Sequence, residues 1–219
     1  MNDDELHSVA IHEAGHVVVA SLLDLLVQGT EVFVGEKGRW FGKSHTYLSK
    51  QALVGVQALI PPEFLFKNGA IVAVAGFLAQ AKYSATISRG TDCQFQYLAE
   101  LGPLIYFFRD TSLVDDAPGV ALVPFLIRST VEERKHELSG LNFSGMDRKF
   151  FLKNLKAATG AIPELIVQEA MQLLDNPKNW QQVNELAKTL IEQEPTGENQ
   201  RRVLNSEQIS LVFSKDSVQ

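Results

Sequence analysis

The chain has 219 residues, of which 45% are hydrophobic, and it carries a formal net charge of −6. That length can hold one large domain or two small ones, and the apolar content is sufficient for a core. Acidic and basic residues are mixed along the chain, so there is no basic patch for nucleic acid or for an acidic membrane surface. The single cysteine, Cys93, excludes an intrachain disulfide.

The sequence predicts a protein without a secretion signal or a membrane span. Its start, MNDDELHS, is acidic and lacks the positive and apolar segments of a signal peptide. No run of about 18 apolar residues occurs, because Asp24 interrupts the first aliphatic stretch and the apolar segment 71–79 is too short. A reducing compartment fits the single cysteine. We therefore expect a soluble, cytoplasmic protein.

The hydrophobic pattern predicts a mainly α-helical chain with a small β-hairpin near its N-terminal helix. The first helix is predicted over 3–26, since Asp3 and Asp4 suit a helix start. Two β-like runs, 30–34 and 40–48, flank a turn at 35–38. Residues 195–202 are predicted to form a polar loop. Further helices are predicted over 63–84, 91–107, 120–138, 147–158, 162–174, 179–192 and 206–213.

The most specific chemical signal is His12-Glu13-Ala14-Gly15-His16, inside the first helix. Positions i and i+4 share a helix face, so both imidazoles can bind one metal ion, and Glu13 can take a proton from the attacking water. Flanking aliphatic residues predict that this helix is buried, and burying these groups without partners would be costly. The motif therefore favours a zinc hydrolase over a plain surface helix. It leaves the third ligand open, because Leu22 stands where one extended pattern requires a histidine.

Four segments in chain order resemble the peptidase domain of the FtsH family of ATP-dependent zinc metalloproteases. They are IHEAGH at 11–16, GRWFG at 38–42, AGFLAQ at 75–80 and GTD at 90–92, with weaker C-terminal similarity at 170–192 and 206–209. The resemblance covers most of the chain. It implies a bound zinc ion with His12, His16 and Asp92 as ligands and with Glu13 as the general base. The alternative role for Asp92 is a plain helix N-cap.

The chain departs from the family pattern in several respects, and two of them bear most on function. Gln80 stands where the family carries a glutamate, which could alter how the histidines are oriented. The family also joins its peptidase to an ATPase module and a membrane anchor, and neither is apparent in this sequence. Gly42-Lys43-Ser44 imitates the end of a phosphate-binding loop, but Lys37 stands where that loop requires glycine. We therefore predict no nucleotide-binding residues.

The segment 39–47 allows two interpretations. It could be an edge strand that binds an extended peptide through Trp40, Phe41, Gly42 and Lys43, or an ordinary hairpin with both aromatic residues in the core.

The resemblance implies a zinc metalloendopeptidase that hydrolyses unfolded or flexible polypeptides. The alternative is a non-catalytic, metal-stabilised adaptor that assembles with a full-length FtsH-like protease. By analogy with the family, we expect a homo-oligomer, such as a hexamer, and a separate ATPase as a partner. A composition shift near 113–118 divides the compact domain into a metal-binding catalytic subdomain, 1–112, and a helical C-terminal subdomain, 113–219.

Overall fold

The computed structural model describes residues 3–47, 62–89, 145–158, 160–161 and 163–215. This part of the chain is mostly helical, with one small antiparallel sheet, as the sequence predicted. In chain order the described elements are α1 (Asp3–Leu22), β1 (Leu26–Val34), a 3-10 turn (Glu36–Gly38), β2 (Trp40–Tyr47), α2 (Pro62–Arg89), α3 (Gly145–Ala157), α4 (Pro163–Asp175), α5 (Pro177–Ile191), β3 (Arg202–Asn205) and α6 (Ser206–Lys215).

Most boundaries agree with the prediction to within a few residues, and two differences matter. α1 ends at Leu22 because the chain turns at Asp24, whose φ is 55°, and β1 then begins at Leu26. The sequence predicted a loop at 195–202 and no strand after it, yet Arg202–Asn205 forms β3. The predicted helices at 91–107 and 120–138, and the proposed subdomain boundary, lie outside the described residues.

The sheet has the strand order β2-β1-β3, and both pairings are antiparallel. The predicted turn at 35–38 is confirmed: the Gly35 amide donates to the Arg39 carbonyl at 2.9 Å, and Gly38 adopts a φ of 72°. The register sets Thr30 opposite Ser44 and Val32 opposite Gly42. Thr30 and Val32 are completely buried, and α1 packs against β1 and β2.

The two longest helices, α1 and α2, cross at very short range. A Cβ placed on Gly15 would lie 2.6 Å from the Cβ of Ala79, so only glycine fits there without a shift. The small residues of α2 permit this approach. α2 also packs against α3 and α4, and α1 packs against α5. N-terminal and C-terminal helices therefore share one hydrophobic core.

One helical segment among the described residues, Phe64–Ser84, is long and apolar enough to cross a membrane by length and composition. Its mean hydropathy is 1.5, and 72% of it is buried inside the protein. The segment belongs to α2, which lies between α1, α3 and α4. This packing is typical of the core helix of a soluble protein.

Candidate metal centre

The two histidines of α1 lie side by side in a buried pocket. His12 is 7% exposed and His16 is 6% exposed, and their rings meet edge to face. The Nε2 atoms of the two rings are 3.1 Å apart. The i, i+4 spacing on α1 produces this convergence, as the sequence predicted.

A carboxylate from a distant helix completes the cluster. Asp147 lies in the first turn of α3, with Oδ2 3.1 Å from Nε2 of His12 and Oδ1 3.6 Å from Nε2 of His16. The three residues can each offer one ligand atom, all within 4.8 Å of one another. Sequence reasoning placed Asp147 in a helix but did not consider it as a ligand. Asp92 lies outside the described residues and stays a prediction.

Two of the separations within this cluster suit a tetrahedral metal site. Zinc bonds of about 2.0–2.1 Å separate neighbouring tetrahedral ligand atoms by roughly 3.3 Å. The two Nε2 atoms are 3.1 Å apart, and Oδ2 of Asp147 lies 3.1 Å from Nε2 of His12, whereas the 3.6 Å contact with Nε2 of His16 is made by the other oxygen, Oδ1. Two imidazole nitrogens and a carboxylate oxygen suit zinc, although other divalent transition metals accept the same donors.

The hydrogen bonds made by Nδ1 of each ring leave Nε2 as the nitrogen that can bind a metal ion. Nδ1 of His16 donates to the Val72 carbonyl at 2.7 Å, and Nδ1 of His12 donates to Oε1 of Gln80 at 3.3 Å. Both partners are oxygens that only accept, so both Nδ1 atoms carry protons. The Nε2 lone pairs of two neutral rings would then face each other at 3.1 Å. A cation between them, either a metal ion or a proton, removes that repulsion.

The charges around the pocket favour a cation there. Burial alone would lower the pKa of His16, but the carboxylates of Asp147 and Glu13, with the Val72 carbonyl, raise it to about 9. Burial would raise the pKa of Asp147, but His16 and His12 hold that pKa well below its usual range. The folded chain therefore stabilises positive charge between the imidazoles and the carboxylate.

Glu13 is a residue of α1 whose side chain lies against β2, and it is 5% exposed. A Cβ on Gly42 would overlap the Glu13 side chain, so the absence of a side chain at Gly42 makes room for it. The Ser44 hydroxyl donates to Oε2 of Glu13 at 2.6 Å. Since the Glu13 charge acts on His16, the predicted base lies close to the candidate metal ligands.

The four predicted substrate-binding residues alternate between the two faces of β2. Trp40 is 6% exposed and belongs to the core, whereas Phe41 is 48% exposed and stacks on Phe33 with 6.2 Å between ring centroids. The interpretation that puts both aromatic residues in the core is therefore wrong for Phe41. Gly42 contacts Glu13, and Lys43 is exposed. Within the described sheet β2 is an edge strand, so a peptide-binding role stays a prediction.

No protein-family model matches the chain, and no curated protein matches it significantly. The resemblance to the FtsH peptidase domain therefore depends on the motifs quoted above.

Gln80 accepts a hydrogen bond from His12 and so orients its ring. The glutamine that replaces the glutamate of the FtsH pattern therefore preserves an acceptor at this position. Its Oε1 accepts from Nδ1 of His12, and its Nε2 donates to Oγ of Ser8 at 2.8 Å. Gln80→Leu removes that acceptor, and we expect zinc affinity to fall about 10- to 100-fold. Gln80→Glu, the matched control, retains an acceptor and should bind zinc nearly as well as the wild type. Competition with a chromophoric chelator measures both affinities, and equal affinities for Gln80→Leu and the wild type would contradict this role.

Proposed function

We propose that the chain is a zinc metalloendopeptidase whose site resembles that of the FtsH peptidase domain. The observation that carries the proposal is the convergence of Nε2 of His12, Nε2 of His16 and the Asp147 carboxylate, with Glu13 alongside. Structural zinc sites are closed by four protein ligands, whereas catalytic sites use three and keep one position open. The described residues offer three such ligands and a carboxylate base.

Each residue of the site has a distinct role in the proposed hydrolysis. When bound, zinc would supply an activated water at neutral pH and polarise the scissile carbonyl. His12 and His16 would hold the metal through Nε2, since their Nδ1 protons are donated to Gln80 and Val72. Glu13 takes one proton from the attacking water as the new C–O bond forms. It then gives that proton to the amine nitrogen as the C–N bond breaks, and the second proton of the water also passes to the amine, so the products are a carboxylate and a protonated amine.

The geometry of the sheet supports an extended polypeptide as the substrate. β2 contributes Gly42 and Ser44 to the surroundings of Glu13 and lies at the edge of the described sheet. A peptide that pairs with this edge would pass close to the base. Such pairing needs an unfolded or flexible segment. We propose that a separate ATPase unfolds the substrate and that the chain works as a homo-oligomer, both by the resemblance to the FtsH family. We also propose, from the composition, that it acts in the cytoplasm.

Cleavage of an unstructured protein such as casein tests the proposal directly. We expect the purified, zinc-loaded chain to cleave casein, a chelator to stop the reaction, and added zinc to restore it. Zinc-loaded protein that leaves casein intact would contradict the proposal and favour the metal-stabilised adaptor. Protein that binds no zinc and loses no stability on chelation would contradict both.

We expect zinc affinity to rise with pH. Zinc must displace the proton that the metal-free protein keeps on His16 below its pKa of about 9. The same proton stabilises the metal-free fold: this contribution is complete below the unfolded value of 6.5 and is lost as the pH rises through about 9. Affinity should therefore increase up to about pH 9 while the metal-free protein becomes less stable. Calorimetric titration with zinc in buffers of different ionisation enthalpy measures the released protons, and an affinity that does not change between pH 7 and 9 would contradict this expectation.

A further inference from the structure

A hydroxyl on β2 makes the shortest hydrogen bond to the predicted base. Ser44 donates to Oε2 of Glu13 at 2.6 Å, and its Oγ also lies 3.1 Å from the backbone carbonyl of Glu13. A hydroxyl has one proton, and a carboxylate is the stronger acceptor. The proton of Ser44 is therefore committed to the Glu13 side chain.

A second hydroxyl fixes the direction of this bond. Oγ1 of Thr30 lies 3.1 Å from Oγ of Ser44, and the two residues are register partners in β1 and β2. Because Ser44 uses its one proton in the hydrogen bond to Glu13, the hydroxyl of Thr30 is the donor in the hydrogen bond to Ser44. Thr30 is completely buried, so water does not compete for its hydroxyl. The strand pairing thus aligns a chain of two donors that ends on the Glu13 carboxylate.

The other carboxylate oxygen is not held by Ser44. Oε1 of Glu13 lies where a Cβ on Gly42 would stand, and Gly42 is two residues before Ser44 on the same face of β2. The carboxylate is therefore held by a hydrogen bond at Oε2 and packs against Gly42 at Oε1. We propose that Ser44 is a positioning residue that holds the Glu13 carboxylate in the orientation in which it receives the proton of the attacking water. This inference rests on the proposed function.

The kinetic test compares variants at position 44. Ser44→Ala removes the donor, and we expect kcat for a casein-derived peptide to fall about 10- to 100-fold with little change in KM, because the base loses its orientation. Ser44→Thr keeps the hydroxyl and should restore most of kcat. Ser21→Ala is the matched control, since it removes a half-buried hydroxyl of α1 that donates, within the described part of the chain, to the Val17 carbonyl. That control should retain wild-type kcat.

A second measurement tests the contact without activity. In the metal-free protein, Ser44→Ala and Glu13→Ala should change the urea unfolding midpoint non-additively, because each substitution removes one partner of the same hydrogen bond. Coupling together with a selective loss of kcat supports the inference. Additive midpoints, or an active Ser44→Ala with unchanged kcat, overturn it while leaving the proposed function intact. A wild type that binds zinc and cleaves nothing overturns the proposed function and this inference together.

Discussion

Glu13→Gln is expected to lower kcat for peptide cleavage by at least about 100-fold, the lower bound for a positioned general base. Glutamine has nearly the same shape, and its amide oxygen can still accept the hydrogen bond that Ser44 donates to Oε2. Its side chain also fits the space opposite Gly42. The substitution therefore removes proton transfer and leaves the surroundings in place. Zinc should stay bound, since Glu13 is not one of the three clustered candidate ligands.

The measurement pairs kinetics with metal analysis of the same protein. Zinc content by mass spectrometry and the circular dichroism spectrum should match the wild type. Glu5→Gln is the matched control, because it removes the same charge from α1 at a partly exposed position that pairs with Arg39 at 3.6 Å. It should keep wild-type kcat. A Glu13→Gln protein that still cleaves at the wild-type rate would exclude Glu13 as the base.

The parts of the site that could be predicted from the sequence are those fixed by local geometry. His12 and His16 are four residues apart on one helix, so helix periodicity alone brings their rings together. The aliphatic residues around them predicted burial, and both rings are almost fully buried. The turn at 35–38 likewise specified the hairpin that brings β2 beside Glu13.

The parts that sequence reasoning missed depend on contacts between distant segments. Asp147 is 135 residues from His12, and an aspartate in the first turn of a helix is common because it suits the helix dipole. β3 has four residues, and its partner β1 lies more than 160 residues earlier in the chain. Neither contact leaves a periodic signal in the sequence.

Gln80 shows a different reason why the sequence alone did not predict the whole site. The sequence indicated that glutamine in place of glutamate could disturb the histidines. In the structure the amide oxygen accepts from Nδ1 of His12, while the amide nitrogen donates to Ser8. A glutamine thus supplies the acceptor and adds a donor, so the replacement is compatible with a metal-binding His12. Residue identity alone does not reveal such a pairing.

The second large effect is expected from substitution of Asp147, the candidate third ligand. Asp147→Asn keeps the shape of the side chain but removes the negative charge that faces both Nε2 atoms. We expect zinc affinity to fall by more than the roughly 10- to 100-fold that loss of an outer partner of a ligand costs. Because the charge of Asp147 also raises the pKa of His16, the variant should release fewer protons when zinc binds.

Asp92→Asn is the matched comparison, because the resemblance assigns the ligand to that residue. Zinc affinity and stoichiometry of both variants, measured by calorimetric titration, separate the two carboxylates. A large loss in Asp147→Asn alone would identify Asp147 as the ligand and leave Asp92 as a helix N-cap. A large loss in Asp92→Asn alone would contradict the role that the geometry gives to Asp147. Comparable losses in both would mean that both carboxylates bind the metal, and a site with four protein ligands has no open position for water. That last result would favour the non-catalytic adaptor over the peptidase.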